Sequence, residues 1–91
     1  MKDLPREGKT AIEQEELIGT KWIAWPEFIG SRIRMEFVDK TNCLFIAEPN
    51  EFVVPYTVTD GNLLISSIDG LFELRGNVLF NFDFPAFEKV A

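Results

Sequence analysis

The stretch YTVTDGNLLISSIDGLFELRGNVLF, Tyr56 to Phe80, sets Asp60-Gly61-Asn62, Asp69-Gly70 and Gly76-Asn77 between short apolar runs. Asp60-Gly61 suits a type I′ turn, which needs φ > 0 at both central residues, and Gly76-Asn77 suits a type II′ turn. Outward from this stretch the same punctuation recurs at Pro26–Gly30, Asp39–Asn42, Glu48–Glu51 and Asp83–Pro85. The result is eight apolar runs between Lys21 and Val90, predicted as strands over Lys21–Trp25, Ser31–Val38, Thr41–Ala47, Phe52–Thr59, Asn62–Ser67, Leu71–Arg75, Val78–Phe82 and Ala86–Val90. Short strands with turn chemistry at this spacing indicate an all-β barrel or sandwich. Each connection is too short for a parallel crossover, so the order is an antiparallel meander. An eight-stranded meander abolishes its edges by closing into a barrel.

The faces follow from period-2 alternation. Ile33, Met35 and Phe37 oppose Arg32, Arg34 and Glu36, while Phe52, Val54, Tyr56 and Val58 share one side of their strand. Cys43 and Phe45 alternate with Leu44 and Ile46, so both faces of that strand are apolar. Phe72 and Leu74 are expected inward, and with them Val78, Phe80 and Phe82. Pro55 cannot donate to a ladder and should mark a bulge or an incompletely paired rim. At roughly five residues per strand, only two or three positions of each point inward, and many are Phe or Met. The barrel should therefore be nearly full.

Met1 to Lys9 is polar, carries Pro5 and Gly8, and reads as a flexible leader to a single domain over residues 10–91. Thr10-Ala11-Ile12-Glu13 fits a capping box, predicting a helix from Ala11 to Ile18 that stops at Gly19.

Composition narrows the partners. A formal net charge of −6, with nine basic against fifteen acidic residues, excludes the basic patch that nucleic acid or an anionic membrane requires. No run approaches the roughly 18 apolar residues of a membrane span. Nine Phe, two Trp and one Tyr supply the core that so small a domain needs. One cysteine, Cys43, allows no intrachain disulfide.

Leu17-Ile18-Gly19-Thr20-Lys21-Trp22 resembles the opening of small lipocalin-like domains in bacterial exported proteins and lipoproteins, where Gly-Thr-x-Trp enters the first strand. Arg34-Met35-Glu36-Phe37, Asn42-Cys43-Leu44-Phe45, Tyr56-Thr57-Val58, Gly61–Ile65, Gly76–Phe80 and Phe87-Glu88-Lys89 follow in the same order. The likeness spans about Leu17 to Val90 and implies a calycin-type barrel in an exported, periplasmic or cell-surface protein, without an established activity. True lipocalins carry Gly-x-Trp, whereas two residues separate Gly19 from Trp22 here; Lys89 stands nearest to the basic residue they pack over that Trp.

Chemistry is sparse. There is no His, no phosphate-cradling glycine loop and no Cys/His cluster, and Cys43 has no activating base. Glu48 and Glu51 around Pro49-Asn50 lack the Gly-spaced Asp/Asn array of a calcium loop. The expectation is a non-catalytic binding or protein-interaction domain with no cofactor or metal, the alternatives being a carrier of an apolar ligand or a purely structural module. Its partner would be a protein, or a small apolar ligand held in the barrel. The loop Trp25-Pro26-Glu27-Phe28-Ile29-Gly30 sets two aromatics and an Ile around a Pro-Gly break where polar residues are usual. Its side chains either fold back to plug one end of the barrel or form the candidate contact, a lid over a pocket mouth or an apolar surface for another protein. Trp25, Phe28, Ile29 and Tyr56 are its candidate residues, with Arg32 and Arg34 as a basic rim.

Overall fold

A computed structural model describes residues 9–29 and 33–90, with the backbone alone at Glu27 and Ile29. Met1 to Gly8 of the expected leader, as well as Arg32, fall outside the described residues. The elements are β1 (Lys9–Thr10), α1 (Gln14–Leu17), β2 (Lys21–Ala24), α2 (Pro26–Ile29), β3 (Arg34–Phe37), β4 (Asn42–Ala47), β5 (Asn50–Thr59), β6 (Asn62–Ile65), β7 (Leu71–Arg75), β8 (Val78–Asn81) and β9 (Phe84–Lys89). Strands β2 to β9 pair with their sequence neighbours, all antiparallel, and β2 pairs with β9 to close an eight-stranded barrel. The all-β meander is as expected, and the short β1 is an addition. It pairs with β7 through Lys9 opposite Arg75 and Thr10 opposite Leu74, prolonging the line of β6 along that strand. No helix among the described residues is long and apolar enough to cross a membrane.

The turn chemistry reads through to the backbone. Asp60 and Gly61 both have positive φ, as a type I′ turn demands, and Gly76 has φ 63° in the next hairpin. Gly19 ends the helical segment at φ 86°. The helix itself is shorter than the capping box suggests. Thr10 is taken into β1, and α1 starts after Glu13, which makes no side-chain cap. The β1 ladder and the bond from Ile12 N–H to the Gly61 carbonyl (2.9 Å) hold Thr10–Ile12 away from a helical path. This segment crosses one end of the barrel and buries Ile12 and Leu17 there.

Two groups of rings fill the interior. Toward the α1 end, Phe37 meets Trp22 and Tyr56 edge-on at 6.4 and 4.9 Å between centroids. Toward the α2 end, Phe87 stacks with Phe45 at 6.2 Å and lies 5.9 Å from Phe72. Met35, Cys43, Leu63, Ile65 and Leu79 complete the core, each fully buried.

β8 corrects one expected face. The core takes Leu79, not Val78 and Phe80, while Phe82 is exposed in the turn after the strand. The two-residue turn at Gly76-Asn77 pairs Leu74 with Leu79 and Phe72 with Asn81, so the partners of inward Phe72 and Leu74 also point inward. Phe80, on the outer face, is covered by Arg75, whose guanidinium lies 4.7 Å from the ring centre and pairs with Glu73 and Asp83. Inward Asn81 donates through Nδ2 to the Asp69 carbonyl at 3.0 Å, tying down the β6–β7 loop.

One buried polar relay ties the entry to the first barrel strand. Thr20 Oγ1 donates to the Leu17 carbonyl (2.6 Å) and accepts from Trp22 Nε1 (2.8 Å). Replacing Thr20 with Val keeps the shape and strands the Trp22 indole N–H, while the Leu17 carbonyl keeps the Thr20 backbone N–H at 2.9 Å. The expected loss is ~1–3 kcal/mol in urea unfolding, the usual cost of buried polar groups left unpaired. A Trp22→Phe background should reduce that loss, because the indole N–H is then gone.

Candidate functional site

The α2 end of the barrel carries the loop singled out in the sequence. Pro26 opens a single helical turn, and Phe28 N–H donates to the Trp25 carbonyl at 3.0 Å. The turn throws Phe28 back into the barrel mouth, where its ring sits 5.8 Å from Phe87 and 6.3 Å from Phe72. Phe28 is thus a half-buried stopper continuous with the core. Trp25 is also half-buried; its backbone N–H donates to the Ala86 carbonyl (2.8 Å), and its buried Nε1 finds no partner among the described residues. The side chain of Ile29 lies outside the described set.

Tyr56 is elsewhere. It is 2% exposed, and its hydroxyl donates to the Asp39 carbonyl (2.5 Å) in the β3–β4 turn at the α1 end. Asp39 organises that turn by accepting the Thr41 and Asn42 backbone N–H groups, both at 2.8 Å, and these bonds hold its carboxyl below the usual range. The structure therefore does not bring Trp25, Phe28 and Tyr56 onto one exposed surface. Arg34 belongs to a different contact, an exposed pair with Glu48 at 2.7 Å.

The exposed apolar side chains of the α2 end were not singled out in the sequence. Phe52 and Val53 on β5 are 55% and 68% exposed, and Phe82 and Phe84 around the β8–β9 turn are 68% and 69% exposed. The alternation puts Phe52 on the same side of its strand as Val54, Tyr56 and Val58. It shares the face of Phe45, its cross-strand partner, but the β6 ladder ends at Tyr56 opposite Ile65, so no β6 residue pairs beside it and it stays exposed. Phe82 and Asp83 form the turn at φ 50° and 66°, values a bulky aromatic rarely adopts. The Phe82 ring lies over Gly70, where a Cβ would come within 2.5 Å of it.

Among the described residues, three open grooves run around this end. A wholly apolar one of about 220 Å³ lies between Ile33, Phe45, Ala47, Phe52 and Ile68. A second, of about 380 Å³, lies where β5 and β6 part, bounded by Pro55, Leu64, Ile68 and Gly70. A third, of about 430 Å³, lies between Gly70, Leu71, Phe80 and Phe82. The β6–β7 loop joins them, with Ile68 shared by the first two and Gly70 by the last two.

Among the described residues no three His, Cys, Asp or Glu are grouped to hold a metal ion. Cys43 is buried, donates to the Val54 carbonyl (3.3 Å), and desolvation pushes its thiol up to about 11. Compared with protein families, curated proteins and solved structures, the chain matches none.

Two outcomes are expected. Phe28→Ala should cost ~2–3 kcal/mol in chemical denaturation, below the usual range for truncating a fully buried Phe because the ring is only half-buried. The Cys43 thiol, raised on folding, contributes stability that is complete below pH 9 and lost as pH rises toward 11. Unfolding midpoints should therefore fall across that window, and less steeply in Cys43→Ala. A residual fall is expected from Tyr56, whose hydroxyl is also raised by burial.

Proposed function

We propose that this chain is a non-catalytic, lipocalin-like protein-interaction domain that works through the outside of its α2 end. The observation that carries the reading is the division of its aromatic side chains. Those inside pack ring on ring, while Phe52, Phe82 and Phe84 stand exposed at one end. Exposed apolar groups gathered with grooves mark sites of association. The backbone at Phe82 adds support, since an aromatic held at positive φ and left in solvent is hard to explain by folding alone. The Gly-Thr-x-Trp resemblance extends the proposal to an exported bacterial protein.

A barrel that carries an apolar ligand is the rival. Drug-sized ligands occupy clefts of roughly 300–1,000 Å³ that enclose most of their surface. The apolar groove at the mouth is smaller, at about 220 Å³, and the grooves of about 380 and 430 Å³, though large enough, are open clefts that would not enclose a ligand. A carrier would need residues such as Phe37, Tyr56 and Phe80 on a cavity wall, whereas Phe37 and Tyr56 pack on each other and Phe80 faces outward.

Native mass spectrometry of the protein taken from its source separates the two. The proposal expects the chain bound to a second polypeptide, with the complex lost in a Phe52→Lys, Phe84→Lys variant that still folds. A retained apolar molecule of small mass, unaffected by those changes, would contradict it.

A further inference from the structure

β5 spans ten residues, of which Asn50–Pro55 pair with β4 on one side and Tyr56–Thr59 with the four-residue β6 on the other. The direction of its backbone groups is fixed by two bonds. Tyr56 N–H donates to the Thr41 carbonyl toward β4 (2.9 Å), and the Pro55 carbonyl accepts from Ser66 N–H on the β6 side (3.1 Å). By alternation, Phe52 and Val54 turn their N–H and C=O groups to β4, while Glu51 and Val53 turn theirs to the other edge. Tyr56 opposite Ile65 is the last residue pair of the β5–β6 ladder. Along Asn50–Val54 that edge has no strand partner among the described residues.

An unpaired edge is a template for another strand unless charge, proline or a covering segment blocks it. Pro55 blocks only the inner limit of this one. The remainder presents Glu51 and Val53, and two of the grooves flank it on either side of Ile68. Side chains of an added strand would alternate between the apolar face of Phe52 and the face of Glu51 and Val53. Glu51 is exposed and has no cationic partner among the described residues, and the chain as a whole carries −6.

We propose that the β5 edge at Glu51 and Val53 accepts an extended segment of a partner protein in which apolar and basic side chains alternate. Backbone pairing supplies the affinity, and the alternation supplies the selectivity. The inference rests on the reading of the chain as an interaction domain and names what the partner must offer. A second copy fits less well. Self-pairing that uses both Glu51 and Val53 sets the two Glu51 carboxylates on a diagonal of roughly 7–8 Å, between two chains that are both acidic.

The test is an NMR titration with a capped nine-residue peptide of alternating valine and lysine, against alternating valine and glutamate. The lysine peptide is expected to shift the Glu51 and Val53 amides and to bind at least about tenfold tighter, a step of one hydrogen bond or ion pair. Val53→Pro removes a donor from the free edge and none from the β4 ladder, so it should weaken binding by a similar factor with the remaining spectrum unchanged. Glu51→Lys should reverse the preference. N-methylation of alternate peptide residues should abolish binding, and this arm stands even where Val53→Pro fails to fold. Shifts confined to the Phe82–Phe84 turn would overturn the edge proposal and leave the interaction reading intact. Equal binding of the N-methylated peptide, or no binding of the lysine peptide, would overturn it too. So would a dimer of this chain that Val53→Pro dissolves.

Discussion

Closure of β2 on β9 is the constraint on which the rest depends. Trp22, Ile23 and Ala24 lie opposite Lys89, Glu88 and Phe87, and bonds from Trp25 N–H to Ala86 and from Val90 N–H to Lys21, both 2.8 Å, extend the ladder at each end. This seam turns a meander into a cylinder and places Phe87 against Phe28, Phe45 and Phe72. A cylinder of such short strands has little inner volume, and these rings occupy it. The small size of the domain and its aromatic content are thus two sides of one solution.

Much of this was legible in the residues. Turn positions followed from Asp60-Gly61, Gly76-Asn77 and Gly19, where positive φ selects few residue types. Pro55 announced an incompletely paired rim, and it sits where β5 and β6 part. The β8 face was also legible but misread. Val78, Phe80 and Phe82 alternate like an inward set, yet Val78 to Asn81 is buried on both faces, so alternation carries no information there. The two-residue turn does carry it, because Phe72 and Leu74 fix their partners as Asn81 and Leu79. Arg75 covering Phe80 was invisible because it depends on a side chain reaching along the outer surface.

The candidate site was half legible. The loop from Trp25 to Ile29 reads as an apolar anomaly, and the anomaly is real. Its explanation is a stopper: Phe28 completes the core from above. Tyr56 could not be placed by its alternation alone, which gives the face of a strand but not the height along the barrel. Phe52 shares the face of Phe45 in register yet is exposed, because β6 ends before reaching it, which alternation does not reveal. Phe82 and Phe84 were hidden because Asp83–Pro85 looked like an ordinary break between strands.

The functional weight accordingly falls on β5, a strand whose two edges differ. Amide hydrogen exchange of the free protein, read residue by residue, tests this most directly. The account expects slow exchange at Phe52 and Val54, which donate to β4, and at Ile23 and Trp25 in the closing seam. It expects Glu51 and Val53, interleaved with the slow pair, to exchange near the rate of unfolded chain. Equal protection at all four β5 positions would mean that the edge is covered, and an unprotected Ile23 would mean that the barrel is not closed.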